Sequence, residues 1–269
     1  MTIIQGILLG IVQGLAEFLP ISSSGHLLLL RSALGVNDAT GTYIIFDILL
    51  HVGTLFVVLI AFWKDWLNIL KNPFKSKTLL LLFIASLPAL LAVLGLGKII
   101  DIFETGRFLG CSFIVTGLLL ILSEKQSKNN ISKEEVNYKH AISMGISQIL
   151  GLLPGISRSG STIFGGIMTG LDKKKAAKFS FMMSAPAIVG SLLYEGKKAI
   201  EQGYLAQLNL LPTLLGMIAA AISGWIAIHY MLKLIHKVSL HWFSIYLFAL
   251  GIVVIILQLL GAGALPKMF

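Results

Sequence analysis

Charge is what this sequence has least of. Asp, Glu, Lys and Arg make up only 12% of its 269 residues, about half the share of an ordinary globular chain, and they cluster between long apolar runs. That scarcity excludes a soluble domain. With 56% hydrophobic residues and a mean hydropathy of +0.89, it describes a polytopic helical membrane protein. Cysteine is scarcer still: Cys111 stands alone in an apolar run, so a disulfide scaffold is excluded and the residue reads as a small core side chain. Acidic residues are outnumbered 12 to 21 by basic ones, a net charge of +9 that in a soluble protein would point to nucleic acid. Here the basic residues lie in connecting segments, where they meet anionic lipid headgroups and keep loops in the cytoplasm. Membrane lipids are the expected surroundings and no nucleic-acid partner is expected. Residues 1 to 30 lack the basic start of a cleavable signal, so they are expected to stay in the mature protein.

A window of about 20 residues, the length that crosses the hydrocarbon, finds six spans: 43–63, 78–97, 107–123, 179–194, 209–232 and 240–263. Two apolar regions do not fit. Residues 3–34 are interrupted by Gln13, Glu17, Pro20 and the run Ser22-Ser23-Ser24-Gly25-His26, and residues 141–170 by Gln148, Pro154 and Gly155-Ile156-Ser157-Arg158-Ser159-Gly160. Each reads as two short helices joined by a polar loop, a re-entrant hairpin whose irregular backbone must line protein or a wet cavity.

The hairpins resemble one another. Gly10-Ile11-Val12-Gln13 matches Gly145-Ile146-Ser147-Gln148, Phe18-Leu19-Pro20 matches Leu152-Leu153-Pro154, and Ile21-Ser22-Ser23-Ser24-Gly25 matches Ile156-Ser157-Arg158-Ser159-Gly160, at an offset of 135 with a one-residue slip. Phe46 follows as the match of Phe179, and Leu87-Pro88 as that of Leu211-Pro212. The order argues for duplication. One repeat is expected over 1–123 and the other over 141–269, joined by a cytoplasmic linker at 124–140. A hairpin plus three spans is an odd number of crossings, so the second copy should be inverted. Placing 64–77, 124–140, 171–178 and 233–237 inside gives that side 14 basic residues against six outside, which puts both termini outside. Gly6 and Gly10 form the small-xxx-small pattern of associating membrane helices, so a homo-oligomer is one arrangement the sequence allows.

Only Glu17 and Asp47, of the acidic residues, fall within apolar segments. A carboxylate at that depth costs about 2.5–3.5 kcal/mol on insertion scales, so something must offset it. Gln13 and Glu17, four apart, share a helix face, and their oxygens would suit magnesium or calcium or simply hydrogen-bond to each other. After Pro20 the next helix is expected to begin near His26, so Ser22, Ser23, Ser24 and Gly25 precede a helix N-terminus suited to an anion. The second loop supplies Arg158, whose planar fork fits phosphate. Asp47 and His51 either extend this group or bond to a neighbouring helix. Carboxylate, imidazole, hydroxyls, arginine and glycine loops together make a phosphate-handling set.

At these two stretches, Gln13-Gly14-Leu15-Ala16-Glu17-Phe18-Leu19-Pro20-Ile21-Ser22-Ser23-Ser24-Gly25-His26 and Pro154-Gly155-Ile156-Ser157-Arg158-Ser159-Gly160-Ser161-Thr162, the chain resembles the bacterial undecaprenyl-diphosphate phosphatase family of the bacitracin-resistance type. That family carries Glu or Gln, three residues, then Glu, and Pro-Gly-x-Ser-Arg-Ser-x-x-Thr. The resemblance implies a plasma-membrane enzyme, dependent on a divalent cation (Mg2+ or Ca2+), that removes the terminal phosphate of a polyprenyl diphosphate lipid at the outer face. It implies Glu17, Ser23, His26 and Arg158 as catalytic residues and Gln13 with Glu17 as metal ligands. Ser22, Ser24, Gly25, Ser157, Ser159 and Thr162 would bind substrate. Two chemistries stay open: attack by Ser23 deprotonated by His26, or by metal-activated water with Glu17 or His26 as base. A transporter or flippase of a phosphorylated polyprenyl lipid is the alternative from another class.

Overall fold

The computed structural model describes residues 1–36, 42–128, 135–204, 208–261 and 265–266. Parts of the expected linker, and Lys267, which is expected on the outer side, lie outside the described residues. Among the described residues eleven α-helices follow in order: α1 (Ile3–Phe18), α2 (Ser23–Ala33), α3 (Thr42–Ala61), α4 (Trp63–Lys71), α5 (Lys77–Glu104), α6 (Leu109–Ser127), α7 (Tyr138–Leu150), α8 (Arg158–Met168), α9 (Lys173–Glu201), α10 (Leu210–Leu234) and α11 (His241–Leu260). Among the described residues there is no strand.

Six of these helices, α3, α5, α6, α9, α10 and α11, are long and apolar enough to cross a membrane, in agreement with the six expected spans. Between 28% and 56% of each membrane-length window is buried inside the protein; much of the remainder presents side chains such as Leu94, Leu193, Ile222 and Leu260 outward, which in water would be untenable and in lipid is ordinary. The helices overrun the expected limits where capping extends them. Asp172 accepts from the amides of Lys174 and Lys175 at 2.9 and 3.1 Å, so α9 starts six residues before the apolar stretch and carries its lysines on the first turns. The segment after α3, expected to be a loop, contains α4. Its lysines and exposed Trp63, Leu67 and Leu70 suit a helix lying in the headgroup layer.

The four remaining helices are too short. At 1.5 Å per residue, α1 extends about 24 Å and α2, α7 and α8 about 17–20 Å, less than the roughly 30 Å of hydrocarbon. They form two pairs. Thr2 and Gln5 close a reciprocal capping box at the start of α1, and Asn137 with His140 does the same for α7. Each first helix then stops short of a proline, α1 ahead of Pro20 and α7 ahead of Pro154. Leu19, immediately before Pro20, is extended at φ −73° and ψ 143°, as the proline ring demands.

Contacts between the halves are exchanged in a regular way. α1 packs on α10 as α7 packs on α5, α10 packs on α3 as α5 packs on α9, and α3 meets α9 while α6 meets α11. The α1–α10 contact needs glycine. A Cβ on Gly10 would lie 2.1 Å from the Gly216 carbonyl oxygen, so backbone meets backbone there. Gly6 faces Pro212 in the same seam. The small-xxx-small pattern is thus consumed within one chain, which removes the sequence argument for a homo-oligomer.

Candidate active site

The two loops meet tip to tip. Gly155, at φ +87°, leaves no room for a side chain: a Cβ would sit 2.6 Å from Ser112 Cβ. Its amide approaches Ser24 Oγ at 3.5 Å, and Ser159 Oγ donates to the Leu19 carbonyl at 3.2 Å. Gly25 packs against Gly155 and the Phe113 ring. Residues more than 130 apart in sequence are thereby joined through main-chain and hydroxyl groups.

Glu17 lies at the junction. It is 7% exposed, and its carboxylate is paired with the Arg158 guanidinium. Its Oε2 accepts from Ser23 Oγ at 2.8 Å and from Gln13 Nε2 at 3.1 Å. His51 Nε2 stands 3.7 Å from the same oxygen. Arg158 reaches across from the N-terminus of α8, and its Nη1 also donates to the Ser180 carbonyl of α9 at 3.3 Å. Four helices, α1, α2, α3 and α8, therefore converge on one carboxylate. Without these partners, a charge so buried would cost several kcal/mol.

Several sequence expectations change here. α2 begins at Ser23, with Ser22 as its N-cap, rather than near His26, because the Ser22 hydroxyl accepts from the Gly25 amide at 3.3 Å. His26 therefore sits one turn inside the helix. Its Nδ1 meets the Ser22 carbonyl at 2.7 Å and its Nε2 meets Tyr246 OH at 2.7 Å, so both nitrogens are engaged, neither with Ser23. The pairing of Ser23 with His26 is replaced by Ser23 with Glu17. Ser157, Ser159 and Thr162, expected to donate to substrate, are buried and engaged within the protein. Ser157 caps the Gly160 amide at 3.0 Å, and Thr162 Oγ1 lies 2.6 Å from Ser180 Oγ. They hold the second loop in shape. Ser22, 4% exposed, does the same for the first, whereas Ser24 is exposed.

His51 extends the site, while Asp47, one turn along α3, forms an ion pair with Arg31 of α2. The Arg31 guanidinium also lies 5.1 Å from the Tyr43 ring centre. Sequence reasoning missed Tyr246, 220 residues from His26, and missed Thr116, which accepts from the Ser157 amide at 3.1 Å. Nothing local marks either one. Ser180 was reachable, since the duplication places it opposite Asp47.

Among the described residues no group of three or more His, Cys, Asp or Glu is arranged to hold a metal. The donors that could serve are oxygens. Gln13 Oε1 is buried without a hydrogen-bond partner, beside the Glu17 carboxylate to which its own amide donates. A free acceptor next to a carboxylate fits a hard divalent cation.

The chain matches the family described as bacitracin resistance protein BacA over residues 6–253. It is 42% identical over 259 residues to the undecaprenyl-diphosphatase of Carboxydothermus hydrogenoformans, covering 96% of this chain and 98% of the relative. It is 41% identical to the undecaprenyl-diphosphatase of Halothermothrix orenii, with the same coverage. Undecaprenyl-diphosphatase 4 of Bacillus thuringiensis is 39% identical over 258 residues, 95% of this chain and 97% of the relative.

Proposed function

We propose that this chain, which belongs to the bacitracin resistance protein BacA family, is an integral-membrane phosphatase. It hydrolyses undecaprenyl diphosphate to undecaprenyl phosphate and inorganic phosphate, the reaction named for its relatives. The monophosphate is the lipid carrier that cell-wall synthesis reuses. The observation that carries the reading is the Ser23–Glu17–Arg158 cluster: a hydroxyl donating to a buried carboxylate that is itself held by a guanidinium.

In this reading Ser23 Oγ attacks the terminal phosphorus, Glu17 takes the hydroxyl proton, and the bond to the leaving undecaprenyl phosphate breaks. Glu17 passes that proton to the departing phosphate oxygen, and water then cleaves the phosphoserine, Glu17 taking the water's proton and returning it to Ser23 Oγ as the P–O bond breaks. Phosphoryl transfer is mostly positioning and charge neutralisation. Arg158 turns from Glu17 to the incoming phosphate, which leaves the carboxylate free to act as base. First-turn amides of α2, which have no intrahelical acceptor, add donors where the dipole is positive. Gln13 and Glu17 would hold a divalent cation, Mg2+ or Ca2+, which supplies further positive charge to the diphosphate oxygens.

The two short helix pairs are read as re-entrant hairpins whose tips meet within the bilayer, in repeats of opposite orientation. The active site is read as opening to the outer face. Supporting that, the basic face is cross-tied by Lys173–Glu124 at 2.6 Å, Lys178–Asp65 at 2.8 Å and Lys175–Glu135 at 2.9 Å. The isoprenoid tail stays in lipid while the diphosphate enters.

Purified protein in detergent, with no second compartment, should release phosphate from a C55 diphosphate when Mg2+ or Ca2+ is present. Ser23→Ala should abolish that release and the phosphoenzyme trapped by rapid quench. Retention of most of the turnover in Ser23→Ala would leave metal-activated water as the nucleophile, and no release by wild type under either cation would overturn the hydrolase reading.

A further inference from the structure

The turn that delivers Ser23 is strained. Ser22 adopts φ 73° and ψ 103°, the one positive φ at a non-glycine residue among the described residues. Such a conformation costs about 1–3 kcal/mol and persists only where neighbours enforce it. It also has a consequence for Ser23. By reversing the chain after Pro20, it directs Ser23 Oγ back to Glu17, six residues earlier, at 2.8 Å.

His26 is the enforcing group. The Ser22 carbonyl accepts twice from it, from the backbone amide at 3.3 Å and from Nδ1 at 2.7 Å. A carbonyl only accepts, so Nδ1 must carry the proton. In the neutral ring Nε2 is then the acceptor, and Tyr246 OH donates to it at 2.7 Å. The two rings are stacked, with centres 5.7 Å apart and planes 20° from parallel, and Phe113 meets the imidazole edge-on at 5.3 Å. The imidazole is thus held on two sides by rings and at both nitrogens by hydrogen bonds. Tyr246 lies on α11 and Phe113 on α6, helices that pack together.

We propose that His26 and Tyr246 are a positioning pair for the nucleophile, with His26 clamping the strained Ser22 turn and Tyr246 fixing the imidazole as its Nδ1–H tautomer. His26 does not exchange a proton with the reacting phosphate. This rests on the assignment of Ser23 as nucleophile.

The test uses full-length protein in nanodiscs. His26→Ala should lower kcat about 10- to 100-fold with KM nearly unchanged, the loss expected when the turn relaxes. His26→Asn, whose amide nitrogen occupies the place of Nδ1 and cannot act as an acid or base, should recover most of that loss. Adding Ser22→Gly to His26→Ala should recover part of it, because glycine takes a positive φ without a clamp. If His26→Asn is as inactive as His26→Ala and Ser22→Gly rescues nothing, His26 is an acid or base and the proposal falls. A second readout needs no variant to be active. The 15N spectrum of the wild type, with His26 assigned by its absence in His26→Asn, should show protonated Nδ1 and unprotonated Nε2, and Tyr246→Phe should mix the tautomers. The opposite tautomer in wild type would overturn the proposal even if Ser23→Ala had confirmed the nucleophile. Activity in Ser23→Ala would instead remove the nucleophile assignment and leave the tautomer result standing.

Discussion

Replacing Arg158 separates its two roles, because the structure gives them different magnitudes. In Arg158→Ala the Glu17 carboxylate, 7% exposed, loses its guanidinium partner and keeps the Ser23 and Gln13 hydrogen bonds, with His51 Nε2 at 3.7 Å. Breaking a buried pair by removing one partner costs about 3–5 kcal/mol, and the surviving bonds put the expected loss near the lower end. Making the carboxylate neutral as well, in Glu17→Gln with Arg158→Ala, should return most of that stability and none of the activity. Arg158→Lys keeps the charge but not the fork: one ammonium cannot serve both the Ser180 carbonyl and the carboxylate or phosphate that the guanidinium spans. Losing one charge-assisted bond, about 1.5–3 kcal/mol, corresponds to a fall in kcat of roughly 10- to 150-fold with the fold intact. Thermal unfolding in detergent reads the first effect and phosphate release from a C55 diphosphate reads the second. If Arg158→Ala is as stable as the double variant, Glu17 is not a buried charge that depends on arginine. If Arg158→Lys stays within a few-fold of wild type, the fork geometry is irrelevant to the reaction.

Gly10→Ala places a Cβ 2.1 Å from a backbone oxygen that needs about 3.4 Å, so α1 and α10 must part by roughly 1.3 Å. Overpacking of this kind costs about 1–3 kcal/mol; unchanged thermal stability, read in detergent, would show that the seam is not formed within the chain. Gln13→Glu should lower the Mg2+ concentration for half-maximal activity and Gln13→Ala raise it, each about tenfold from the change in ligand charge or number; identical Mg2+ titrations would remove Gln13 from the cation site. With Cys111→Ala as background, a membrane-impermeant thiol reagent applied to intact cells should label Lys198→Cys and spare Lys71→Cys. The reverse pattern would invert the orientation.

Composition alone determined that the chain lives in lipid, because so few charges among so many apolar residues leave no other solvent for the surface. Spacing determined the six long helices and the two interrupted regions: a lone Pro88 or Pro186 is accommodated inside a long helix, whereas α1 and α7 end before Pro20 and Pro154 and a serine caps the helix that follows. The motif residues Glu17, Ser23 and Arg158 were legible for a related reason: a charge or a serine run inside an apolar stretch needs a purpose on the spot. Partnerships were a different matter. The reach of Arg158 to Glu17 spans 141 residues and that of Tyr246 to His26 spans 220, and an aromatic on a lipid-crossing helix looks locally like any other. The packing of α8 on α9, α9 on α3 and α3 on α1, and of α11 on α6, brings those groups together. It assigns Glu17 rather than His26 to Ser23, and it turns the glycine pattern of α1 inward onto α10. Helix periodicity and solvent preference are local, so sequence carries them; a hydrogen bond between distant turns is a property of the assembled bundle, where buried donors meet acceptors from other helices in three dimensions.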